Sequence, residues 1–446
     1  MNPAARAFVA VALVAGLAIT IVMPPGAAPD ETRHLSRVVL MSEGNFGVPG
    51  MQQPRSTIPK SIGVLHRVVN GEAWPAPPPA RSVREMAAFL RQPLEPERRA
   101  WVGNAGTYPP FVYAPHFVGV APARWLGLSP AAMIYAGRIV SVLAWVALTA
   151  LAIQVAPARR WTLALLSSTP MAVAGAASIS GDPMTNAAAL LFAACVARSA
   201  VRNGALESRE RNELLGTALL LAVVKPGYWP LALAALAIPP ARCGGRSRQL
   251  AVAAAVLAAA VVPSFAWIAF SQINQPAPPI EGADPAGQLR FVLGNPLGFA
   301  AILARTIAQG CVGYWRTFIG ELGPLLVKLP GFVYLLWIPA LAVALALDGP
   351  PASLSRAGRG WFAGGAALAI LSMFGMAYLG WNPVGDPIIK GVQGRYWAPA
   401  LPLLAFALPA WPRSLPMPAR QGLLLFAAAS LALAIAQIFA VYYRTG

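Results

Sequence analysis

The sequence predicts an all-α, polytopic transmembrane protein with about eleven spans. Of its 446 residues, 57% are hydrophobic and only 11% are charged, whereas a soluble domain has about 25% charged residues. Apolar runs of spanning or near-spanning length recur along the chain. Basic residues concentrate in alternate short loops, which is the charge pattern of a multi-pass membrane protein.

The predicted spans follow the apolar runs in order. They cover residues 5–23, 131–155, 161–179, 183–201, 211–224, 226–240, 249–270, 328–347, 361–380, 397–411 and 420–442. The first run could be a cleaved signal peptide, since Gly26, Ala27 and Ala28 are small enough for cleavage. We favour a retained helix because the rest of the chain is polytopic. In either case the residues that follow it lie on the far side of the membrane.

Loop charge orients these spans. With the N-terminus in the cytoplasm, every short cytoplasmic loop is basic, as the positive-inside rule requires. These loops contain Arg159 and Arg160; Arg202, Arg209 and Arg211; Arg242, Arg246 and Arg248; Arg356 and Arg359; and Arg413 and Arg420. The same pattern accounts for the formal charge of +18, so nucleic acid is not a predicted partner.

The chain is predicted to form a single membrane domain over 1–446, with extracytoplasmic loops at 24–130 and 271–327. In the first loop, Arg81–Arg91 predicts a short amphipathic surface helix, and Phe111–Leu126 predicts a helix lying on the outer interface. The runs within 211–240 flank Lys225-Pro226-Gly227 and are short, so they form either two tilted spans or a re-entrant hairpin. Three scattered cysteines, Cys195, Cys243 and Cys311, indicate neither a disulfide framework nor a metal site.

Chemically useful side chains gather on the extracytoplasmic side of this topology. They are Asp30, Glu31 and His34 after the first span; Tyr108, Tyr113 and His116 at the end of the first loop; Asp182 and Lys225; and Gln393, Arg395 and Tyr396 before the tenth span. Carboxylates can accept a proton and cations can hold a phosphate. The set therefore suits a lipid-phosphate substrate at the membrane surface.

The acidic residues also allow structural interpretations. Asp30 and Glu31 could cap the helix that follows, since acids favour a first turn. Asp30 and His34 are four residues apart and could hold a divalent metal if further ligands joined them. Asp182 followed by proline is a common helix start.

The basic residues differ in how readily they can be explained. Lys225 could extend to lipid headgroups. Arg138 lies about two turns inside the second span, where a guanidinium costs roughly 2.5–3.5 kcal/mol. We therefore expect Arg138 to face a polar cavity and an anionic partner. Arg395 has a glycine on one side and aromatic residues on the other, and its planar fork could bind a phosphate bidentately.

Five motifs occur in one order along the chain. They are Pro29-Asp30-Glu31-Thr32-Arg33-His34 with Gly44 downstream, Tyr108-Pro109-Pro110-Phe111-Val112-Tyr113, Ser180-Gly181-Asp182, Lys225-Pro226-Gly227-Tyr228 and Gly391-Val392-Gln393-Gly394-Arg395-Tyr396. Together they resemble a bacterial family of multipass membrane proteins of unknown function. The resemblance covers nearly the whole chain, and the last motif is the most specific.

More distantly, the layout resembles the GT-C glycosyltransferases of the protein mannosyltransferase and lipid A aminoarabinose transferase type. Those enzymes have an acidic pair after the first helix and a surface helix that ends the first loop. The segment 126–129 followed by Arg138 is similar to the start of their second helix, and Asp182 is similar to an acid in their second outer loop. Pro29 and His34 depart from the mannosyltransferase pattern, so the resemblance implies neither a donor sugar nor a metal.

The resemblance and the residues together predict a bacterial inner-membrane glycosyltransferase, a hexosyl- or pentosyltransferase with its active face outside the cytoplasm. Its donor would be a polyprenyl-phosphate-linked sugar, and its acceptor a glycan, lipid or protein of the cell envelope. Asp30 would be the general base, with Glu31 orienting the acceptor or exchanging roles with it. No cofactor is predicted, and a divalent metal stays an open alternative.

The remaining candidates would bind the substrates. Arg395, Arg138 and Lys225 would stabilise the leaving phosphate. The cleft would be formed by Tyr108, Tyr113 and His116, with His34, Asp182, Gln393 and Tyr396 as further substrate contacts. Two other classes stay open. One is a flippase or transporter of a lipid-linked saccharide, which needs ionisable residues across the membrane, and the other is a polysaccharide polymerase or ligase.

Overall fold

The computed structural model describes residues 1–47, 57–70, 80–97, 99–101, 105–274, 282–349, 354–409 and 416–444. The α-helices in these ranges are α1 (Pro3–Val22), α2 (Glu31–Ser42), α3 (Lys60–Asn70), α4 (Val83–Leu90), α5 (Ala114–Trp125), α6 (Pro130–Val155), α7 (Arg160–Ser167), α8 (Pro170–Ala176), α9 (Asp182–Val201), α10 (Ser208–Val224), α11 (Pro240–Cys243), α12 (Arg246–Asn274), α13 (Pro285–Gly294), α14 (Pro296–Ile319), α15 (Gly331–Leu347), α16 (Arg356–Trp381), α17 (Leu401–Ala407) and α18 (Met417–Tyr442). Helices of the 3₁₀ type cover Pro110–Tyr113, Pro226–Ala237 and Gly394–Trp397. Two antiparallel pairs join β1 (Thr57–Pro59) to β2 (Arg99–Trp101) and β3 (Glu321–Leu322) to β4 (Val327–Lys328).

Within the described ranges, seven helices are long and apolar enough to cross a bilayer: α1, α6, α9, α12, α14, α16 and α18. Several begin at a side-chain cap that the sequence provides. The side-chain oxygens of Asn2, Ser129 and Ser355 accept N–H groups in the first turns of α1, α6 and α16. The prediction of an all-α, polytopic membrane protein is confirmed.

The predicted span 161–179 is not one continuous helix. It divides into α7 and α8 after Ser167. Pro170 begins α8, and Thr169 Oγ1 accepts the N–H of Ala172 (3.3 Å). A proline lacks the N–H that would continue the preceding helix, and threonine is a good N-cap, so the break follows from the local sequence.

Two further predicted spans are interrupted for the same reason. The run 226–240 forms a 3₁₀ helix that contains Pro226 and Pro230. The run 397–411 begins with the end of a 3₁₀ helix and continues as α17, which has Pro402 near its start. Missing proline N–H groups deprive an α-helix of its hydrogen bonds at these points. Arg413 lies outside the described residues.

The predicted loop 271–327 contains two helices, α13 and α14. The sequence Gly294-Asn295-Pro296, which is typical of a loop, is the boundary between them. Asn295 Oδ1 accepts the N–H of Gly298 (3.0 Å), so it caps α14, and proline occupies the first position of the helix.

Contacts between helix ends establish the relative directions of α1, α6 and α18. The Asn2 N–H donates to Gln154 Oε1 (2.6 Å), which places the start of α1 beside the end of α6. At the other end of the bundle, the Tyr442 hydroxyl donates to the Ala27 carbonyl (3.5 Å), so α1 and α18 end together. Helices α1 and α18 are therefore parallel, and α6 runs the opposite way. We call the end that contains Ala27, Asp30 and Tyr442 the Asp30 end.

The two surface helices predicted in the first loop are present. α4 begins with a reciprocal capping box between Ser82 and Glu85. The 3₁₀ helix Pro110–Tyr113 and α5 form the second. Phe111, Val118 and Trp125, seven residues apart, leave 62–64% of their surface exposed, and the opposite side of α5 packs against α6. An apolar outer stripe of this kind is typical of a helix in the membrane interface.

Candidate functional site

Three charged side chains from distant parts of the chain meet at the Asp30 end. Asp182 opens α9, Lys225 follows the end of α10, and Arg395 lies in the last 3₁₀ helix. Lys225 Nζ is 3.1 Å from Asp182 Oδ1, and Arg395 Nε is 3.4 Å from Asp182 Oδ2. Gly181, rather than Asp182, is the N-cap of α9, and no side-chain cap bond forms there. Because one carboxylate faces two cations, the cluster has an excess of positive charge.

Tyrosine rings surround the ammonium group of Lys225. Its Nζ lies 5.3, 5.8 and 5.0 Å from the ring centroids of Tyr108, Tyr228 and Tyr396, within cation–π range. Burial lowers the pKa of Lys225, but Asp182 and the tyrosines outweigh it and raise that pKa well above its ordinary value. Lys225 is thus a permanent cation in the site, and it pairs with Asp182 instead of extending to lipid headgroups.

Asp30 stands apart from this ion pair and is exposed. It occupies the N-cap position of α2 in the left-handed region (φ 53°, ψ 12°), and its side chain makes no cap hydrogen bond. Its carbonyl accepts the N–H groups of Arg33 (2.9 Å) and His34 (3.1 Å), so the backbone starts the helix and the carboxylate is left over. The capping interpretation therefore does not explain Asp30.

Glu31, the next residue, is fully buried and points the other way. Its Oε1 accepts Arg138 Nε–H (2.7 Å) and the Ile179 N–H (3.0 Å). Its Oε2 accepts Arg138 Nη2–H (2.5 Å) and the Gly26 N–H (2.8 Å). Burial raises the pKa of Glu31, but Arg138 and the two backbone N–H groups outweigh it, so the carboxyl stays ionised.

Arg138 uses its donors within this same buried network. Beyond its bonds to Glu31, it donates to the carbonyls of Thr20 (3.3 Å), Met23 (2.6 Å) and Pro24 (3.0 Å). Together these contacts use every N–H direction of the guanidinium fork. The expected anionic partner is therefore Glu31, and in this conformation Arg138 has no donor left for a phosphate. The pair fixes the end of α1 against α6 and the segment before α9.

His34 and two tyrosines form the next layer. His34 Nδ1 is 2.5 Å from the Tyr113 hydroxyl, and its ring packs edge-on against Tyr108 at 5.3 Å. Burial lowers the pKa of His34 to about 4, against the opposing influence of Asp30 and Asp182. The imidazole is therefore neutral at pH 7 and can exchange hydrogen bonds without adding charge to the site.

His116 and Tyr113 support the site from behind. Both are fully buried, so they do not form the cleft surface that the sequence suggested. His116 Nε2 lies 3.2 Å from the Ser178 carbonyl and 3.4 Å from the Ser180 N–H. Burial lowers the pKa of His116 to about 4, which also keeps it neutral. The ring thereby supports the turn that leads into Asp182.

The Gln393-Gly394-Arg395-Tyr396 segment depends on its glycine. A Cβ on Gly394 would overlap the Tyr314 carbonyl, so only glycine allows this backbone to approach α14. The Tyr228 hydroxyl donates to the Tyr396 carbonyl (2.7 Å) and holds the segment on the other side. Gln393 Oε1 is buried and has no hydrogen-bond partner among the described residues, so it is an acceptor available to a ligand.

A pocket that is open to solvent lies beside the charged cluster. Its wall includes Pro29, Thr169, Ser178, Asp182, Asn186, Phe318, Gly323 and Arg395. A second pocket adjoins it. The two share Ala172, Asn186, Phe318 and Ala398, and the second is otherwise bounded mainly by apolar side chains, including Trp145, Leu166, Leu190 and Leu401. Both pockets are thus lined mainly by apolar side chains, and the charged groups of the site lie at the wall of the first.

A divalent metal is the other ligand that the Asp30 and His34 pair could hold. Within the described ranges, no three histidine, cysteine, aspartate or glutamate side chains converge as metal ligands. The Asp30 and His34 pair has no third ligand there, and His34 Nδ1 is hydrogen-bonded to Tyr113.

Comparison with known families identifies the family of the chain. A family profile described as a predicted membrane protein matches residues 13–404. The chain belongs to the DUF2142 family. The expected membership in a membrane family of unknown function is confirmed, and the GT-C likeness stays a prediction. No curated protein and no solved structure matches this DUF2142 chain.

Several cavity residues of this DUF2142 protein were not predicted from the sequence. Thr169 lies at the break between α7 and α8, and the sequence could have indicated this break through its Thr-Pro pair. Asn186 is four residues after Asp182 on α9, so helical spacing places both on one face. Phe318 and Gly323 come from a segment assigned to a loop, where the sequence gives no comparable signal.

Proposed function

We propose that the protein is a bacterial inner-membrane glycosyltransferase that transfers a sugar from a polyprenyl-phosphate donor to an extracytoplasmic cell-envelope acceptor. One observation carries the proposal. The exposed Asp30 carboxylate makes no cap hydrogen bond among the described residues, and it interacts electrostatically with Arg395. Its neighbour Pro29 lines the same cavity as Asp182 and Arg395, and that cavity adjoins a second, mainly apolar one. Sugar transfer from a lipid phosphate requires a proton acceptor, an anion-binding group and space for a hydrocarbon chain.

The reaction divides between these groups. The acceptor hydroxyl gives its proton to the Asp30 carboxylate while its oxygen forms a bond to the anomeric carbon. The bond between that carbon and the phosphate oxygen breaks, and polyprenyl phosphate leaves with the electron pair. Lys225 and Arg395 stabilise the charge that develops on the phosphate. A single displacement inverts the anomeric configuration, and Asp30 then releases its proton to water.

Glu31 and Arg138 take different roles from those expected of them. Both are buried and bonded to each other, so neither contacts the substrates in the proposed reaction. Their network joins Gly26 to Ile179. We assign them to positioning, because Gly26 precedes Asp30 by four residues and Ile179 precedes Asp182 by three.

The proposed topology has eleven passes, with the Asp30 end outside the cytoplasm. The parallel directions of α1 and α18 require an odd number of passes. Six passes are the long helices α1, α6, α9, α12, α16 and α18. The other five are α7 with α8, α10, the 3₁₀ helix Pro226–Ala237, α15, and the last 3₁₀ helix with α17. The opposite end supports a basic cytoplasmic face: Arg159 there donates to the carbonyls of Leu345 and Leu408, at the ends of α15 and α17.

The flippase alternative is less well supported. Moving a charged headgroup across the membrane calls for polar or ionisable groups along the path. In the described part of the chain, the second cavity is bounded by Thr149, Ser167 and Asn186 as its polar residues, and no charged side chain lines it. Such a chamber suits a hydrocarbon chain better than a saccharide.

Comparing cell envelopes with and without the gene tests the proposed function directly. We expect deletion to remove one sugar substituent from an envelope glycan, lipid or protein and to raise the level of the matching polyprenyl-phosphate sugar. Mass spectrometry of both pools measures this. Restoring the wild-type gene should reverse both changes. Unchanged envelope sugars together with an unchanged lipid-linked pool would rule out the proposal.

Filling the passage between the two cavities should weaken binding of long-chain donors. Ala398 contributes to both cavities, and an Ala398→Phe side chain would occupy the passage between them. We expect the KM for a long-chain polyprenyl-phosphate sugar to rise by about 10-fold, or about 1.4 kcal/mol, with a smaller change for a ten-carbon donor. Ala254→Phe, on the exposed side of α12, is the matched control. Equal effects on both donors would argue against a tail in the second cavity.

A further inference from the structure

Helix α14 is long and apolar enough to cross a bilayer, yet both of its ends contact the end of α16 or the segment that leads from α16 to Arg395. On α13, eight residues before α14 begins, Gln288 Oε1 accepts the N–H of Gly385 (2.9 Å), and within α14, Thr306 Oγ1 accepts the N–H of Ile389 (3.0 Å). Near the end of α14, Thr317 Oγ1 accepts the N–H of Gly394 (2.8 Å). Residues 385–394 form the connection from the end of α16 to Arg395 in the site. One loop at one end of the bundle therefore accompanies α14 along its length.

The contacts between α14 and α16 indicate a steep crossing. Phe299 stacks on Tyr378 at 5.5 Å, and Tyr314 packs edge-on against Phe374 at 5.8 Å. Phe299 and Tyr314 are fifteen positions apart, which is about 22 Å along a helix, whereas their partners on α16 are four positions apart, or about 6 Å. Two helices that ran side by side would advance equally. Since α16 is of spanning length, α14 lies across its end, close to the plane of the membrane.

The face of α14 turned away from the protein is largely apolar. Leu297, Ile307 and Val312 leave 85%, 37% and 65% of their surface exposed. Arg305 and Gln309 are exposed beside them. Apolar side chains next to a basic residue are the composition of a helix that lies in the headgroup region, with its apolar face in the acyl boundary and its cation near lipid phosphates.

We propose that α14 is a membrane-surface helix whose partner is the outer leaflet at its headgroup–acyl boundary, and that it does not cross the bilayer. Its last turn reaches the site, because Phe318 lines both cavities. The lipid surface is thereby continuous with the cavity. This inference takes the outer leaflet from the proposed topology and stands whether or not the site transfers a sugar.

Spin-label depth measurements test the proposal. Single cysteines would replace Leu297, Ala304, Ala308 and Val312 in the full chain, with its three native cysteines changed to alanine. The protein would be placed in nanodiscs of phosphatidylethanolamine and phosphatidylglycerol, and relaxation by oxygen would be compared with relaxation by a water-soluble nickel chelate. We expect all four labels at one depth, about 5–10 Å below the headgroups.

A spanning α14 would instead give a depth difference of about 22 Å between positions 297 and 312, which would overturn the proposal. Labels at Leu250 and Val262, exposed positions on α12, are the control, and they should differ by about 18 Å along a crossing helix. A second copy of the chain on this face would be another way to overturn it. Dipolar broadening between labels and low accessibility to both relaxants would reveal that contact.

Discussion

The Asp30→Asn variant should lose sugar transfer by about 10²–10⁴-fold in kcat, because asparagine cannot accept the proton of the acceptor hydroxyl. Binding of the donor should change little, since Lys225 and Arg395 hold the phosphate in the proposed mechanism and both are untouched. The measurement is transfer from a purified polyprenyl-phosphate sugar to the acceptor, with donor binding followed separately. A pure loss of kcat would distinguish a missing base from a missing binding contact.

Asparagine is the appropriate replacement because of the backbone at this position. Asp30 has a φ of 53°, and asparagine and aspartate tolerate this left-handed region better than other side chains. Alanine would add backbone strain of about 1–2 kcal/mol and confuse the result. Since the Asp30 side chain makes no cap hydrogen bond, its change to an amide should leave α2 and the thermal unfolding temperature unaffected.

Glu97→Gln supplies the matched control for Asp30. Glu97 is an exposed carboxylate in the same long loop, outside the cavity walls. Its neutralisation should leave transfer at the wild-type rate. If Asp30→Asn kept full activity, the general-base assignment would fail. A large rise in donor KM at unchanged kcat would also contradict it, because that pattern indicates lost uniform binding.

Much of the fold and of the site could be predicted because both depend on local patterns. Apolar run length predicted α1, α6, α9, α16 and α18. Alternating loop charge predicted that Asp30, Asp182, Lys225 and Arg395 belong to one face, and the structure brings the last three into direct contact. A residue's side of the membrane follows from counting spans, so it needs no knowledge of packing.

The parts that the sequence did not predict depend on long-range packing. Glu31 and Arg138 are 107 positions apart, and no local pattern indicates that a buried carboxylate and a guanidinium will pair. The same is true of Tyr113, whose partner His34 is 79 positions away. The helix breaks at prolines were not predicted, because the length of an apolar run does not show whether the helix is continuous. α14 was not predicted because its amphipathic sequence is less continuously apolar than that of a spanning helix, and the segment was therefore assigned to a loop.

Neutralising Glu31 should have the largest effect on stability. Glu31→Gln would leave the buried Arg138 cation without its charge partner, and removing one member of a buried ion pair typically costs about 3–5 kcal/mol. We expect a loss of that size in the free energy of unfolding, measured by denaturant titration in detergent micelles. The neutral amide would also present N–H groups to the donors at Gly26 or Ile179, which can no longer both be satisfied.

The chain contains a second buried ion pair, and a variant of it can distinguish an effect on stability from an effect on activity. Glu210 accepts from Arg242 Nη2–H (2.8 Å), and Arg242 also donates to nearby carbonyls, among them that of Ser199 (2.5 Å). The two side chains are 2% and 5% exposed and lie at the opposite end of the bundle from Asp30. Glu210→Gln should therefore reduce stability in the same way while leaving the activity per folded molecule unchanged.

A positioning role for Glu31 predicts a different outcome from a purely structural one. In Glu31→Gln, the activity of the molecules that stay folded should also fall, because Asp30 adjoins Glu31 and the Ile179 segment leads into Asp182. Misplacing a general base by about 1 Å can cost about 10²-fold in rate. If Glu31→Gln and Glu210→Gln lost stability alike and both kept full activity per folded molecule, the buried pair would hold the fold together without positioning the site.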